Sequence, residues 1–313
     1  MASFGVGSEE IRSKMTLYVF TGNEYSASVD PESLQILTYL RLTLQKEEEN
    51  EEIEIKYTCK HWESPTGVFP TLVSDGLYYT GVDSIIKELK KQGLDLDADC
   101  SDEELAEISA YSAFLSDRLK KALLYLHWVE AKNYTEVTRG WLSGATVFPF
   151  TLYILSRQHR LAKQVIMTSS SGNTSNNTST IEQCGIELLS QAEEAISLLA
   201  GRLGDQKYFY GSSLSSFDVL VFGYLDLIAQ YELPGNNQLG TRLKSLVQLT
   251  NFCSDIREKA YPEIKSRHVS TSSSMSPSSP LRKDPTFWIF VGVAGILLIA
   301  QGMRVGLTRK LLK

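Results

Sequence analysis

Strand-like and helix-like patterns alternate along the first third of the chain. Thr16 to Thr21, TLYVFT, is rich in β-branched and aromatic side chains and reads as a strand. In the following DPESLQILTYLRL, Asp30 stands as N-cap, Pro31 at the first helical position and Glu32 in the first turn. Leu34, Leu37, Leu40 and Leu44 then recur at helical spacing. Ile53 to Tyr57, IEIKY, alternates as a second strand after an acidic run, KEEENEE, that reads as a solvated loop. FPTLV, a turn at SDG and LYYT predict two more strands, and a helix from Val82 to Gln92 is stopped by Gly93. The predicted order is βαβ followed by ββα.

From Ser101 the apolar spacing is helical throughout. Ser101 and Glu104 form a capping box, and Ile108, Tyr111, Leu115, Leu119, Ala122 and Leu126 fall on one face. Further helices are predicted after Pro149, from Thr180 to Leu203, from Ser215 to Tyr231, and from Thr241 to Ala260. Pro70, after Phe69 at the start of a strand, stands where thioredoxin-like folds hold a cis peptide bond. Ser215 and Asp218 have the S-x-x-D spacing of a helix-start box. Together these features resemble the glutathione-transferase superfamily. The fold expected is α+β: a thioredoxin-like N-terminal domain over 15–95, then an all-helical glutathione-transferase-like C-terminal domain over 96–265 with a disordered insertion at 168–180.

The two ends add addressing information. Residues 1–14, MASFGVGSEEIRSK, lack the apolar core of a signal peptide and the Arg-rich pattern of a matrix presequence, and read as a flexible tail. TFWIFVGVAGILLIAQGM, Thr286 to Met303, carries no charge. From Phe287 its roughly 17 residues would span about 26 Å as a helix, enough for a thin bilayer. A transmembrane tail anchor is therefore expected over 286–304, built on Phe287, Trp288, Ile289, Phe290, Leu297, Leu298 and Ile299. Ser/Pro-rich residues 266–285 read as its linker and 305–313 as a basic tail. The flanking Arg282, Lys283, Arg304, Arg309, Lys310 and Lys313 suit the mitochondrial outer membrane better than the endoplasmic reticulum. The bulk of the chain would then face the cytosol.

Composition narrows the functional classes. With 313 residues and 42% hydrophobic side chains the chain can bury real cores, and a net charge of −6 argues against a nucleic-acid partner. Cys59, Cys100, Cys184 and Cys253 are scattered without a CxxC pair and read as reduced, mostly buried thiols. Glutathione chemistry would need a hydroxyl or thiol after the first strand. Tyr25, Ser26 and Ser28 are the formal candidates, with Asp83 and Ser84 as a γ-glutamyl half-site. That loop lacks a Cys, and Asp30 sets a carboxylate at the helix start, where it would repel a thiolate. Cys59 and His61 are too few for zinc, His127 reads as core or boundary, and His159 as a solvated basic turn. No residue is assigned a catalytic, cofactor-binding or metal-ligating role, and no cofactor is expected.

Four stretches sharpen the resemblance. SVDPESLQILTYLRLT, HWESPTGVFPTL, HWVEAKNYTEVTRGW followed by FPFTLYILSRQHR, and GDQKYFYGSSLSSFDVLVFGYL closely resemble the tail-anchored metaxins. The likeness covers the chain from Met15 to Pro262 and the terminal apolar run. It implies a non-catalytic subunit of the sorting and assembly machinery of the mitochondrial outer membrane, supporting import and insertion of β-barrel proteins. The partners implied are a second metaxin subunit, the β-barrel assembly machinery and adaptors for mitochondrial transport, with membrane contact and no nucleic acid. Two alternatives stay open: a tail-anchored protein that binds or conjugates glutathione, and a mitochondrial fission or morphology factor. Lys132, Tyr134, Glu136 and Arg139 are the candidate partner surface. The neighbouring Trp128 and Trp141 belong either to that surface or, the reading favoured for these two, to the core of the helical half.

Overall fold

The computed structural model describes residues 15–44, 53–146, 150–170, 181–231 and 233–264. Strand β1 (Met15–Val19) buries Met15, Leu17 and Val19 on one side, as its alternation predicts. It pairs in parallel with β2 (Ile53–Tyr57), after α1 (Pro31–Leu44), and antiparallel with β3 (Thr71–Ser74), so that Leu17 lies between Ile55 and Leu72. β4 (Leu77–Thr80) completes a sheet of order β2-β1-β3-β4. The β3–β4 turn holds Asp75 and Gly76 at φ 50° and 76°, which explains why an Asp-Gly pair stands there. The Phe69–Pro70 bond before β3 is cis, as expected at that position. Helix α2 (Val82–Lys91) ends at Gly93, whose φ of 86° suits glycine.

The connection to the helical half is pinned rather than loose. Buried Asp97 accepts from Lys90 Nζ at 2.8 Å and from the backbone N–H of Ser216 at 2.6 Å. Helix α3 (Asp102–Leu115) starts at the capping box of Ser101 and Glu104. It passes through a π-helical turn (Ser116–Lys120) into α4 (Lys121–Trp128). Leu115, Leu119, Ala122 and Leu126 are all buried along this run. A short α5 (Ala131–Asn133), a second π turn (Tyr134–Thr138), α6 (Arg139–Ala145), α7 (Phe150–Ser170) and α8 (Ile181–Leu203) follow.

Helix α9 (Ser216–Gln230) is the hub, buried at almost every position. Its N-terminus carries the expected box: Asp218 accepts from the Ser215 and Phe209 backbone N–H groups at 2.8 and 2.9 Å. Gly223 lets α1 approach closely, and there Gln35 Nε2 donates to the Leu220 carbonyl at 3.0 Å. One continuous core therefore runs from Leu17, Leu37 and Leu72 beneath the sheet to Phe217, Val221 and Ile256. The expected helix from Thr241 to Ala260 is instead two, α10 (Gln238–Ser245) and α11 (Val247–Ala260), broken at Leu246. Leu239 and Leu243 before the break and Leu249 and Phe252 after it are all buried, so both helices contribute to the same core.

Helix α7 runs through Ser170, into the segment expected to be an insertion from 168, and Thr168 Oγ1 continues its pattern by bonding the Gln164 carbonyl. The rest of that segment lies outside the described residues. So do residues 1–14, the linker and the apolar and basic tail. Among the described residues no helix is long and apolar enough to cross a membrane.

Candidate functional site

The two halves meet around a cavity of about 130 Å³. Phe20, Val29, Asp30 and Pro31 supply one wall, from the end of β1 to the start of α1; Leu123, His127, Trp128, Trp141 and Tyr231 supply much of the other. Pockets that enclose drug-sized ligands run to roughly 300–1,000 Å³, so this one admits a small group at most.

The polar side chains that line it include Asp30, Lys120, His127, Thr138 and Gln158. Asp30 caps α1 by accepting from the Ser33 N–H at 2.8 Å. Burial, and then the nearby Glu32 carboxylate, push its carboxyl up to about 6, while Ser33 and Lys120 pull the other way. The positive end of the α1 dipole is thus already matched by the protein's own carboxylate. His127 is held down to about 4 by burial, and its Nε2 has no hydrogen-bond partner. Its ring meets Tyr231 edge-on at 5.2 Å.

The residues that a glutathione site would use do not converge here. Immediately after β1 stands Phe20, whose ring packs against Phe69 at 5.7 Å and Trp141 at 5.9 Å. Ser26 and Ser28 are buried within their own loop: Ser26 Oγ donates to the Ser28 carbonyl at 2.7 Å, and Ser28 Oγ accepts from the Asp30 N–H at 3.1 Å. The Tyr25 carbonyl accepts from Arg257 Nη1 at 3.0 Å. Neither these three residues nor Asp83 and Ser84, exposed at the start of α2, line the cavity.

Cys59 and His61 also part company. Cys59 Sγ points to the Ala145 carbonyl, 3.9 Å away, and burial raises its thiol pKa. His61 Nδ1 donates to the Gly67 carbonyl at 3.0 Å, which leaves Nε2 to accept from Gln158 at 2.6 Å. Among the described residues no group of three or more His, Cys, Asp or Glu could hold a metal ion.

The WVEAKNYTEVTRGW segment divides into an inner and an outer set. Trp128 and Trp141 pack against a small apolar cluster of Phe20, Cys59, Leu142, Ile154 and Leu155, so these two rings close a core. Asn133 is fully buried: its backbone N–H donates to Glu130 at 2.6 Å, and its Oδ1 accepts from the Gly235 N–H at 2.7 Å. A Cβ on Gly235 would come within 2.4 Å of Glu130, so glycine is needed for that approach. Tyr134 is half-buried and stacks on His159 at 4.7 Å. His159 is therefore no solvated turn; it lies in α7, and its Nδ1 donates to the Trp128 carbonyl at 2.5 Å. Lys132, Glu136 and Arg139 are exposed around Tyr134. The Asn133–Gly235 contact escaped sequence reasoning, and the PGNN turn was its one local signal.

Comparisons with known proteins agree with this fold. Residues 33–159 match the family described as outer mitochondrial membrane transport complex protein, and residues 192–256 match the glutathione S-transferase C-terminal domain. Among solved structures, a beta-etherase from a Sphingobium species superposes with a TM-score of 0.50 at 14% identity over 78% of this chain and 95% of that one. That likeness bears on the fold alone. Metaxin-3 of Danio rerio is 29% identical over 75% of this chain and 72% of its own. Metaxin-1 of Sus scrofa is 31% identical over 86% of this chain and 83% of its own. With 34% identity to metaxin-1 of Mus musculus, over 79% of this chain and 75% of that one, the chain belongs to the metaxin family.

Proposed function

We propose that the chain is a non-catalytic subunit of a sorting and assembly complex of the mitochondrial outer membrane. It works beside a second metaxin in the import and insertion of β-barrel proteins and offers the same face to adaptors in mitochondrial transport. A single C-terminal anchor holds it with its bulk toward the cytosol. The observation that carries this reading is the division of the KNYTEVTR segment: Asn133 and Thr138 are buried and fix it to the fold, while Lys132, Glu136 and Arg139 are exposed around Tyr134. Charges beside an aromatic on a rigid base make a partner surface. The cavity supports the non-catalytic part, because Phe20 and Asp30 stand where a thiol activator would be needed.

Replacing Lys132, Glu136 and Arg139 together by Ala tests the surface. Recovery of a co-expressed second metaxin after mild detergent extraction is expected to fall about tenfold or more, the loss of one or two modest contacts at ~1.4 kcal/mol per tenfold. The melting temperature is expected to stay unchanged, because all three side chains are exposed. Undiminished recovery overturns the surface assignment. Retention of the purified chain on immobilised glutathione, with conjugation of a chlorinated aromatic, overturns the non-catalytic reading.

A further inference from the structure

Helix α7 presents a surface unlike the rest of this acidic chain. Between Glu136 and Glu182 the sequence holds no Asp or Glu, yet Arg139, Arg157, Arg160 and Lys163 fall inside that interval of a chain whose net charge is −6. The helix buries Ile154, Leu155, Ala162 and Ile166 against the core. Tyr153, Arg160 and Met167, seven residues apart, then form one outward line, with Leu152 and Lys163 beside it. Tyr153 is 58% exposed, Met167 57%, Phe150 51% and Leu152 50%. Trp62, itself 50% exposed, extends the apolar surface from a different loop, its ring 5.2 Å from Phe150 and 6.5 Å from Tyr153. The neighbouring α8 carries exposed Glu182, Glu187 and Glu194, so acidic and basic faces are segregated rather than interspersed.

Exposed aromatic, aliphatic and Met side chains among cations of a single sign are the composition of an interfacial helix, one that lies in the headgroup layer with its apolar groups inserted and its cations on phosphate. The centre of a protein interface is depleted in charged side chains, whereas Arg157, Arg160 and Lys163 stand together on this helix with no acidic side chain among them. Distance favours lipid as well. The described chain ends at residue 264, and the 266–285 stretch, read as a linker, reaches roughly 25 Å as a coil before the apolar run begins. A bilayer holding that run therefore lies within reach of the globule.

We propose that the outer face of α7, with Trp62, lies against the anionic lipid surface of the membrane that carries the chain. The Trp62, Phe150 and Tyr153 rings enter the headgroup layer, and Arg157, Arg160 and Lys163 pair with lipid phosphates. This rests on the outer-membrane reading, and the experiment separates the two.

The full chain, with Gln164→Cys carrying an environment-sensitive fluorophore and Cys100→Ser removing the half-buried native thiol, is mixed with vesicles containing brominated lipid. The vesicles are phosphatidylcholine alone or with a minor fraction of phosphatidylinositol. Flotation reports attachment and quenching reports contact of α7 with lipid. Attachment to both vesicles is expected, with strong quenching only on the anionic ones. Arg157→Glu, Arg160→Glu and Lys163→Glu together should lower that quenching to the neutral-vesicle level without detaching the chain. Should the triple variant fail to fold, raising the salt on the labelled parent chain should do the same, since the contact is electrostatic at the surface. Flotation with no quenching, or quenching indifferent to lipid charge, overturns the α7 proposal and leaves the anchor standing. No flotation on either vesicle overturns both.

Discussion

Replacing Asp30 by Asn should make the protein more stable, although Asp30 is the N-cap of α1. Its carboxyl is pushed from 3.8 up to about 6, first by burial and then by Glu32. Over that interval the folded state holds a proton that the unfolded chain has released. Stability therefore falls as pH rises from about 4 to about 6 and levels off above. At ~1.4 kcal/mol for each tenfold change in proton affinity, the ionised carboxylate costs about 3 kcal/mol at pH 7.5 and roughly half of that at pH 5. Asn keeps the acceptor for the Ser33 N–H, since the two residues cap equally well, but forfeits about 0.5–1 kcal/mol of attraction to the helix dipole. The variant should be about 2 kcal/mol more stable at pH 7.5, and about 1 kcal/mol more stable at pH 5. Urea unfolding followed by the fluorescence of Trp128 and Trp141, which sit where the halves meet, measures it. A variant no more stable at pH 7.5, or a gain that fails to shrink on acidification, would refute the electrostatic account of Asp30.

Two further outcomes follow from packing. Arg257 and Asp226 are both buried and paired, with Arg257 Nε 3.0 Å from Asp226 Oδ1; Arg257→Met should cost about 3–5 kcal/mol, and adding Asp226→Leu should recover much of the loss in the same unfolding assay. If the double variant is as unstable as the single, the cost comes from the Tyr25 carbonyl that Arg257 also holds. Gly223→Val should lower stability by about 2–3 kcal/mol, because a Cβ there would stand 2.3 Å from Gln35 Cγ and 3.1 Å from the Pro31 carbonyl; an unchanged midpoint would mean that α1 and α9 can part at little cost.

Local chemistry made much of the fold readable. Asp30-Pro31-Glu32 announced α1, Asp75-Gly76 the hairpin, and Ser215 with Asp218 the start of the buried α9. What stayed hidden depends on contacts between distant positions. Nothing near Leu246 breaks a helix by itself: from Thr241 to Ala260 the sequence holds no Gly or Pro, yet α10 ends at Ser245 and α11 begins at Val247. The π turns at Ser116–Lys120 and Tyr134–Thr138 carry no breaker residue, and each shifts the phase of the helix after it. At the site, the lack of a thiol in the loop after β1 could be read directly. That Phe20 fills the space, and that Ser26 and Ser28 turn inward, required the loop to be closed first. The core reading favoured for Trp128 and Trp141 holds, but what they pack against, Phe20 and Ile154, is far away in sequence and could not be read from the segment.

The close approach of α1 to α9 at Gly223 bears on how this protein can be dissected. Gln35 of the sheet-bearing half is anchored on Leu220 of the helical half, Asn23 Nδ2 donates to Tyr231 Oη at 2.7 Å, and Thr38 and Tyr261 share a hydrogen bond at 2.9 Å. Cutting the chain near residue 96 would leave each fragment with an apolar face and orphaned polar groups that its other half had satisfied. Such fragments should aggregate or cling to chaperones. Partners recovered with them would report that exposed face, and mapping by truncation would assign binding to the wrong half. Single surface substitutions in the intact chain avoid that artefact.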